Sequence, residues 1–107
     1  MTLSIAEVLE AARQRGLTKL PEPSQLTVVR VWSTGIESRW IAEVGEPPSN
    51  WPVGAVFDSE DEAQKAGFAE GEARRSQLAD ALRSAGADDI ADAEWEPMRL
   101  DKVPVAN

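Results

Sequence analysis

The chain has no histidine, no cysteine and no tyrosine in 107 residues. Lack of imidazole removes the usual general base, and lack of thiol removes disulfides, thiolate nucleophiles and the best zinc ligands. A Ser-His-Asp arrangement is therefore impossible within the chain. Lys19, Lys65 and Lys102 stand at no recognisable spacing from a serine that would make a Ser-Lys pair. Neither the dinucleotide nor the P-loop glycine pattern is present to cradle a phosphate. There is no apolar run of about 18 residues to span a bilayer. Nor is there a basic segment followed by an apolar one, as a secretory leader would require. The expected location is cytoplasmic, with no membrane contact.

Bases are also scarce: 11 against 19 acids, for a formal net charge of −8. The imbalance is local. Residues 1–57 carry six acids and five bases, whereas residues 58–72 carry six acids and one lysine. Residues 73–85 return a small positive balance through Arg74, Arg75 and Arg83, and residues 86–107 hold six acids and two bases. Gripping nucleic-acid phosphate needs a basic face, so direct nucleic-acid binding is not expected. The same sign favours a partner protein with a basic surface. Simple solubility is the plainer explanation of an acidic small protein.

A chain of this length fits one domain, and its patterns mark out an α+β fold. Ser4 with Glu7 forms a capping box before Ile5, Val8, Leu9 and Ala12, which recur at helical spacing. Gly16 follows as a C′ residue, so a short helix is predicted within residues 1–20. Pro21 and Pro23 then stiffen a connector. From Leu26 to Phe57 the sequence predicts three strands. Ser33-Thr34-Gly35 reads as a three-residue hairpin loop between Leu26–Trp32 and Ile36–Val44. That loop sets Trp32 opposite Ile36 and Val28 opposite Trp40. The face with both tryptophans is then expected under a helix, with Arg30 snorkelling to an edge. Val29, Val31 and Ile41, among Glu37, Arg39 and Glu43, make a half-apolar second face for the first helix or a partner to cover. Gly45 to Pro52 is a proline-rich loop, and Val53–Phe57 is a short third strand.

One long amphipathic helix is predicted over 59–85. Ser59 with Glu62 is a second capping box, Asp58, Glu60 and Asp61 suit the positive end of the helix dipole, and Gly86 suits the C′ position. Ala63, Ala66, Gly67, Ala73, Leu78, Ala81, Leu82 and Ala85 form a narrow stripe of mostly small residues. Gly67 and Gly71 each cost nearly 1 kcal/mol relative to alanine. Close approach to the hairpin is the expected compensation, a helix–helix contact the other option. Residues 86–107 form an acidic segment, with a short helix starting at Asp88 or Asp89 and stopped before Pro97. Leu100, Val103 and Val105 either add a strand or drape over the core.

For metals, Asp58–Glu62 and the set Asp88, Asp89, Asp92, Glu94 and Glu96 lack the central glycine of a calcium loop. No metal and no cofactor is expected. The candidate partner-binding residues are the acids Glu60, Asp61, Glu62, Asp88, Asp89, Asp92, Glu94 and Glu96 with Trp51, Phe68 and Trp95. A tryptophan beside polar residues is the common form of an interface anchor. The function class this fits is a non-enzymatic protein-binding module. Its most concrete form is an inhibitor that blocks a basic nucleic-acid-binding surface by charge mimicry, as anti-CRISPR proteins of phage and mobile elements do. No motif ties the chain to a family of them. The alternatives are a self-associating structural domain, in which a homodimer forms, and an enzyme working with carboxylates alone.

Overall fold

The structure, a computed structural model, describes residues 2–104 and is α+β. In chain order the elements are β1 (Thr2–Leu3), α1 (Ile5–Gln14), a 3-10 turn at Pro23–Leu26, β2 (Val28–Ser33) and β3 (Trp40–Val44). There follow β4 (Trp51–Phe57), α2 (Glu60–Ser84), α3 (Asp88–Ala91), β5 (Glu94–Trp95) and β6 (Arg99–Lys102). The capping box of α1 is complete: Ser4 Oγ accepts from Glu7 N and Glu7 Oε1 accepts from Ser4 N, both at 3.1 Å. At α2 only one arm forms, Glu62 N donating to Ser59 Oγ at 3.1 Å. Gly86 has φ +81°, the left-handed geometry its place after α2 requires.

The sheet differs from the expected three-stranded one. Its order is β4-β3-β2-β6, with β6 joining parallel to β2 after the long helix. Leu26 lies in the 3-10 turn, so β2 starts at Val28. A short strand carrying Arg99, Asp101 and Lys102 makes a suitable edge, since charge discourages further pairing. The hairpin register also differs. Val31 sits opposite Ala42, Trp32 opposite Ile41 and Ser33 opposite Trp40. The loop is six residues, Thr34–Arg39, closed by Thr34 N donating to Arg39 O at 2.9 Å and containing its own turn from Ile36 to Arg39. The displacement is an odd number of residues, which exchanges the faces that pair. The two tryptophans are consequently separated: Trp40 shares a face with Val29, Val31, Ala42 and Val44, while Trp32 lies on the other with Arg30 and Ile41.

Packing explains why this register is preferred. The face under α2 is built from Val29, Val31, Ala42 and Val44, closed by Ala63 of the helix, all fully buried. These small and β-branched side chains let the helix axis come close, which a central Trp32 would prevent. Trp40, Phe57, Phe68 and Met98 pack round the margin, half-buried. Arg30 is no misfit, because it pairs with Glu43 on the opposite face, and Asn50 Nδ2 donates to the other Glu43 oxygen at 2.8 Å.

The buried stripe of α2 is Ala63, Gly67, Gly71, Arg75, Leu78, Ala79 and Leu82, a cleaner 4-4-4-3 spacing than the one read from alanines. Ala73 is exposed and Ala66 and Ala81 only half-buried, whereas Gly71, Arg75 and Ala79 are buried. This stripe serves two cores in succession. Its first half covers the sheet, and its second half, with Leu78, Ala79 and Leu82, packs on Ile5, Val8, Leu9 and Ala12 of α1 and on Ala87 and Ala91. Twenty-five residues at 1.5 Å each make α2 about 37 Å long, in a molecule whose longest dimension is 49 Å.

The expected tail is folded. After α3, β5 pairs parallel with β1, and Glu96 N donates to Leu3 O at 2.8 Å. Val103 N continues the β6 ladder to Val31 O at 2.8 Å, while Val105 lies outside the described residues. Among the described residues no helix is long and apolar enough to cross a membrane.

The two glycines of α2 differ in what an added methyl would meet. At Gly67 it would collide with Cγ1 of the buried, β-branched Val29, and at Gly71 with the thioether end of half-buried Met98. A methionine can swing aside; a core valine cannot without moving β2. Gly67→Ala is therefore expected to lower stability by about 1–2 kcal/mol despite its better helix propensity, and Gly71→Ala to leave it unchanged or raise it by up to ~1 kcal/mol. Urea denaturation of both variants checks this order, and equal effects would contradict it.

Candidate protein-binding surface

The acidic candidate residues fall into two groups at opposite ends of α2. At its start the acids are matched by cations. Asp58 pairs with Arg39 at 3.3 Å, Glu60 with Lys102 at 2.8 Å and Asp61 with Lys65 at 3.0 Å. Glu60 also accepts from Gln64. Glu62 is exposed and has no ion-pair partner among the described residues. The acidity of this block in the sequence is thus largely cancelled by bases that the fold brings from β3's approach, from β6 and from one helical turn away.

The other end is different. Asp88 and Asp89 occupy the first turn of α3, and Glu94 opens β5; all three are exposed and have no ion-pair partner among the described residues. Asp92 is engaged. Arg83, in the last turn of α2, donates from Nε at 3.2 Å and Nη2 at 2.9 Å to Asp92 Oδ1, and from Nη1 at 3.1 Å to Asp80 Oδ1. The hydrogen bonds that Arg83 donates to Asp92, with Asp80 beside them, hold its guanidinium above its ordinary value. Arg15 Nη1 ties the end of α1 to Gly86 O at 3.1 Å.

Glu96 and Trp95 fasten the fold. Glu96 Oε1 accepts from Ile5 N at 2.9 Å, a carboxylate on an orphan donor at the positive end of α1. Trp95 is half-buried against the helical core, and its indole Nε1 donates to Ile90 O at 2.9 Å. Phe68, a candidate for partner contact, is half-buried against the sheet core instead. Trp51, at the outer strand β4, is 56% exposed, with the Arg74 guanidinium 5.9 Å from its ring centroid. It is the most exposed of the three candidate aromatics, with Arg74 over its ring. Among the described residues no cluster of acids has the geometry of a metal site.

Two features were not singled out from the sequence. One is a partly exposed apolar strip on the outer sheet face. Trp32 and Ile41 are cross-strand neighbours there, Val103 extends the row past β6, and Ile36 and Val56 are 68% and 46% exposed. The alternation of each strand was readable; the register that aligns them was not. The other is Arg75, buried at the changeover between the two cores. Its Nε donates to Leu26 O at 2.8 Å, and Nη2 has no partner among the described residues. Burial pushes its guanidinium below the ordinary value, against the opposing pull of Glu72 and Glu96.

The division of labour between Glu96 and Glu94 is testable. Removing a charge-assisted bond to a helix terminus costs roughly 1–2 kcal/mol, while truncating an exposed unpaired side chain stays within about 0.5 kcal/mol. Glu96→Ala is expected to lower the thermal midpoint by several degrees, and Glu94→Ala to leave it in place. Calorimetry on the two variants decides it.

No family model, no curated protein and no solved structure matches this chain.

Proposed function

We propose that the chain is a non-enzymatic protein-binding module that engages a basic surface of its partner through α3 and the start of β5. Asp88, Asp89 and Glu94 carry the charge. The observation behind this reading is that these three carboxylates, within seven residues, are exposed and uncompensated, while the acids at the start of α2 are mostly paired. Their frame is held from three sides, by the Arg83–Asp92 bridge, the Trp95 indole bond and the β1–β5 pairing. A rigid display loses little entropy on binding. The most specific form of the proposal is an inhibitor that takes the place of nucleic acid on its target's basic site, in the manner of anti-CRISPR proteins.

A second reading, self-association, is favoured by the apolar strip of Trp32, Ile41, Val103, Ile36 and Val56. No helix lies over that face among the described residues, since α1 packs at the other end of the molecule. The charges beside the strip nearly cancel, two arginines facing three carboxylates: Arg30 pairs with Glu43, and Arg99 with Asp101 and Glu46. Two copies meeting there would keep their acidic ends well beyond a Debye length of about 8–10 Å apart.

Two measurements test these readings. Binding to a basic nucleic-acid-binding protein is expected to weaken with salt, and by roughly tenfold in the variant Asp88→Asn/Asp89→Asn/Glu94→Gln. The matched variant Asp58→Asn/Asp61→Asn/Glu62→Gln, which removes as much charge, is expected to change affinity by less than about threefold. Salt-independent binding, or the reverse order of the two variants, sinks the electrostatic mechanism. For the second reading, light scattering across a concentration series is expected to show a reversible dimer that Ile36→Lys/Val56→Lys abolishes; a strict monomer throughout removes it.

A further inference from the structure

The connector after α1 does more than return the chain to the sheet. Residues 16–21 run beside the second half of α2 and leave an open groove of about 720 Å³ between them. That lies in the range of about 300–1,000 Å³ occupied by small-molecule sites. Leu17, Leu20, Pro21 and Leu78 give it apolar walls, and the charged side chains lining it are Lys19 and Arg74, with no carboxylate among them. In a chain of net charge −8 this is a local inversion of sign.

Arg74 is held in a fixed pose. Its Nε donates to Glu70 Oε1 at 3.2 Å, its Nη1 to Gln25 Oε1 at 3.2 Å, and its guanidinium stands over the Trp51 ring, 5.9 Å from the centroid. Gln25 is itself anchored, donating from Nε2 to Ser49 O at 2.6 Å. Nη2 of Arg74 has no hydrogen-bond partner among the described residues, and Lys19 no ion-pair partner. A guanidinium braced on three sides with one N–H₂ group free is preorganised for an acceptor, which lowers the ordering cost of binding. Glu70 offsets one of the two positive charges, so the groove has a net charge near +1 and suits a monoanion better than a phosphate dianion.

We infer that this groove binds the carboxylate of an apolar monoanion, with its hydrocarbon body against Leu17, Leu20, Pro21 and Leu78 and its headgroup between Lys19 and Arg74. The carboxylate belongs to a free aliphatic or aryl acid, or to the C-terminus of a peptide ending in apolar residues. The site is separate from the acidic surface on α3 and does not depend on it.

Three probes of equal chain length, octanoate, octanol and octylammonium, test the headgroup preference by titration into the isotopically labelled chain. Octanoate is expected to shift the amides of Leu17, Thr18, Lys19, Leu20 and Gln77 and to change Trp51 fluorescence through Arg74. Its affinity should exceed that of octylammonium by at least tenfold. Lys19→Gln, at an exposed position where folding is not at stake, is expected to weaken octanoate about threefold, and Arg74→Gln about tenfold. A hexapeptide ending in Leu-Leu, free or amidated, separates the two sources: tighter binding of the free peptide than of octanoate assigns the site to a chain terminus, and the reverse to a free acid. No saturable shift by about 10 mM, equal affinity for octylammonium, or octanoate binding unaffected by both substitutions overturns the inference.

Discussion

The approach of α2 to β2 at Gly67 is the constraint on which the other packing depends. With no Cβ on the helix at that point, Val29 can occupy the space between the two backbones. The neighbouring positions must then be small or β-branched as well, and they are: Ala63 from the helix, Val31, Ala42 and Val44 from the sheet. Larger side chains are displaced to the margin, where Trp40, Phe57 and Phe68 each keep one side in the core. The hairpin register is a consequence. Only the observed offset aligns Val29 and Val31 with Val44 and Ala42 beneath the helix and sends Arg30 and Glu43 together to the far side.

The same helix then continues into a second core, which makes it a strut shared by two packing units. Arg75 sits at the changeover, where the stripe passes from the sheet to α1. Its aliphatic stem fills the junction and its Nε ties the helix to the 3-10 turn through Leu26 O. A buried guanidinium is an expensive filler, and the lowered proton affinity at this position reports that expense. The second core is closed by pairing the start of the described chain with the segment that follows α3. β1 lies beside β5, and the Glu96 carboxylate caps α1 across 91 residues of sequence.

Charge is redistributed by this architecture. Read along the chain, the start of α2 and the last segment look equally acidic. In three dimensions the first is threaded with Arg39, Lys65 and Lys102, whereas the second keeps three carboxylates facing water. About 37 Å of helix separates the blocks, so they act as independent surfaces rather than one field at physiological salt. The proposed binding role follows the uncompensated block. The groove beside Arg74 lies between the two ends, where the local sign is opposite.

The features legible in the chain alone were local and periodic. Ser4 and Glu7 placed α1, Ser59 and Gly86 bounded the long helix to within a residue, and the two helical glycines announced a close contact. These signals act over one turn or less, through backbone donors and side-chain geometry, so neighbours in sequence suffice to read them. The strand register, the parallel pairing of β6, the burial of Arg75, the structural use of Glu96 and Trp95, and the pairing or freedom of each carboxylate were decided by tertiary structure. Each depends on a partner tens of residues away. A β-hairpin slipped by one or by five residues has the same composition and nearly the same local propensities. The space under Gly67 that Val29 fills and the Arg30–Glu43 pairing on the far face both belong to the observed register.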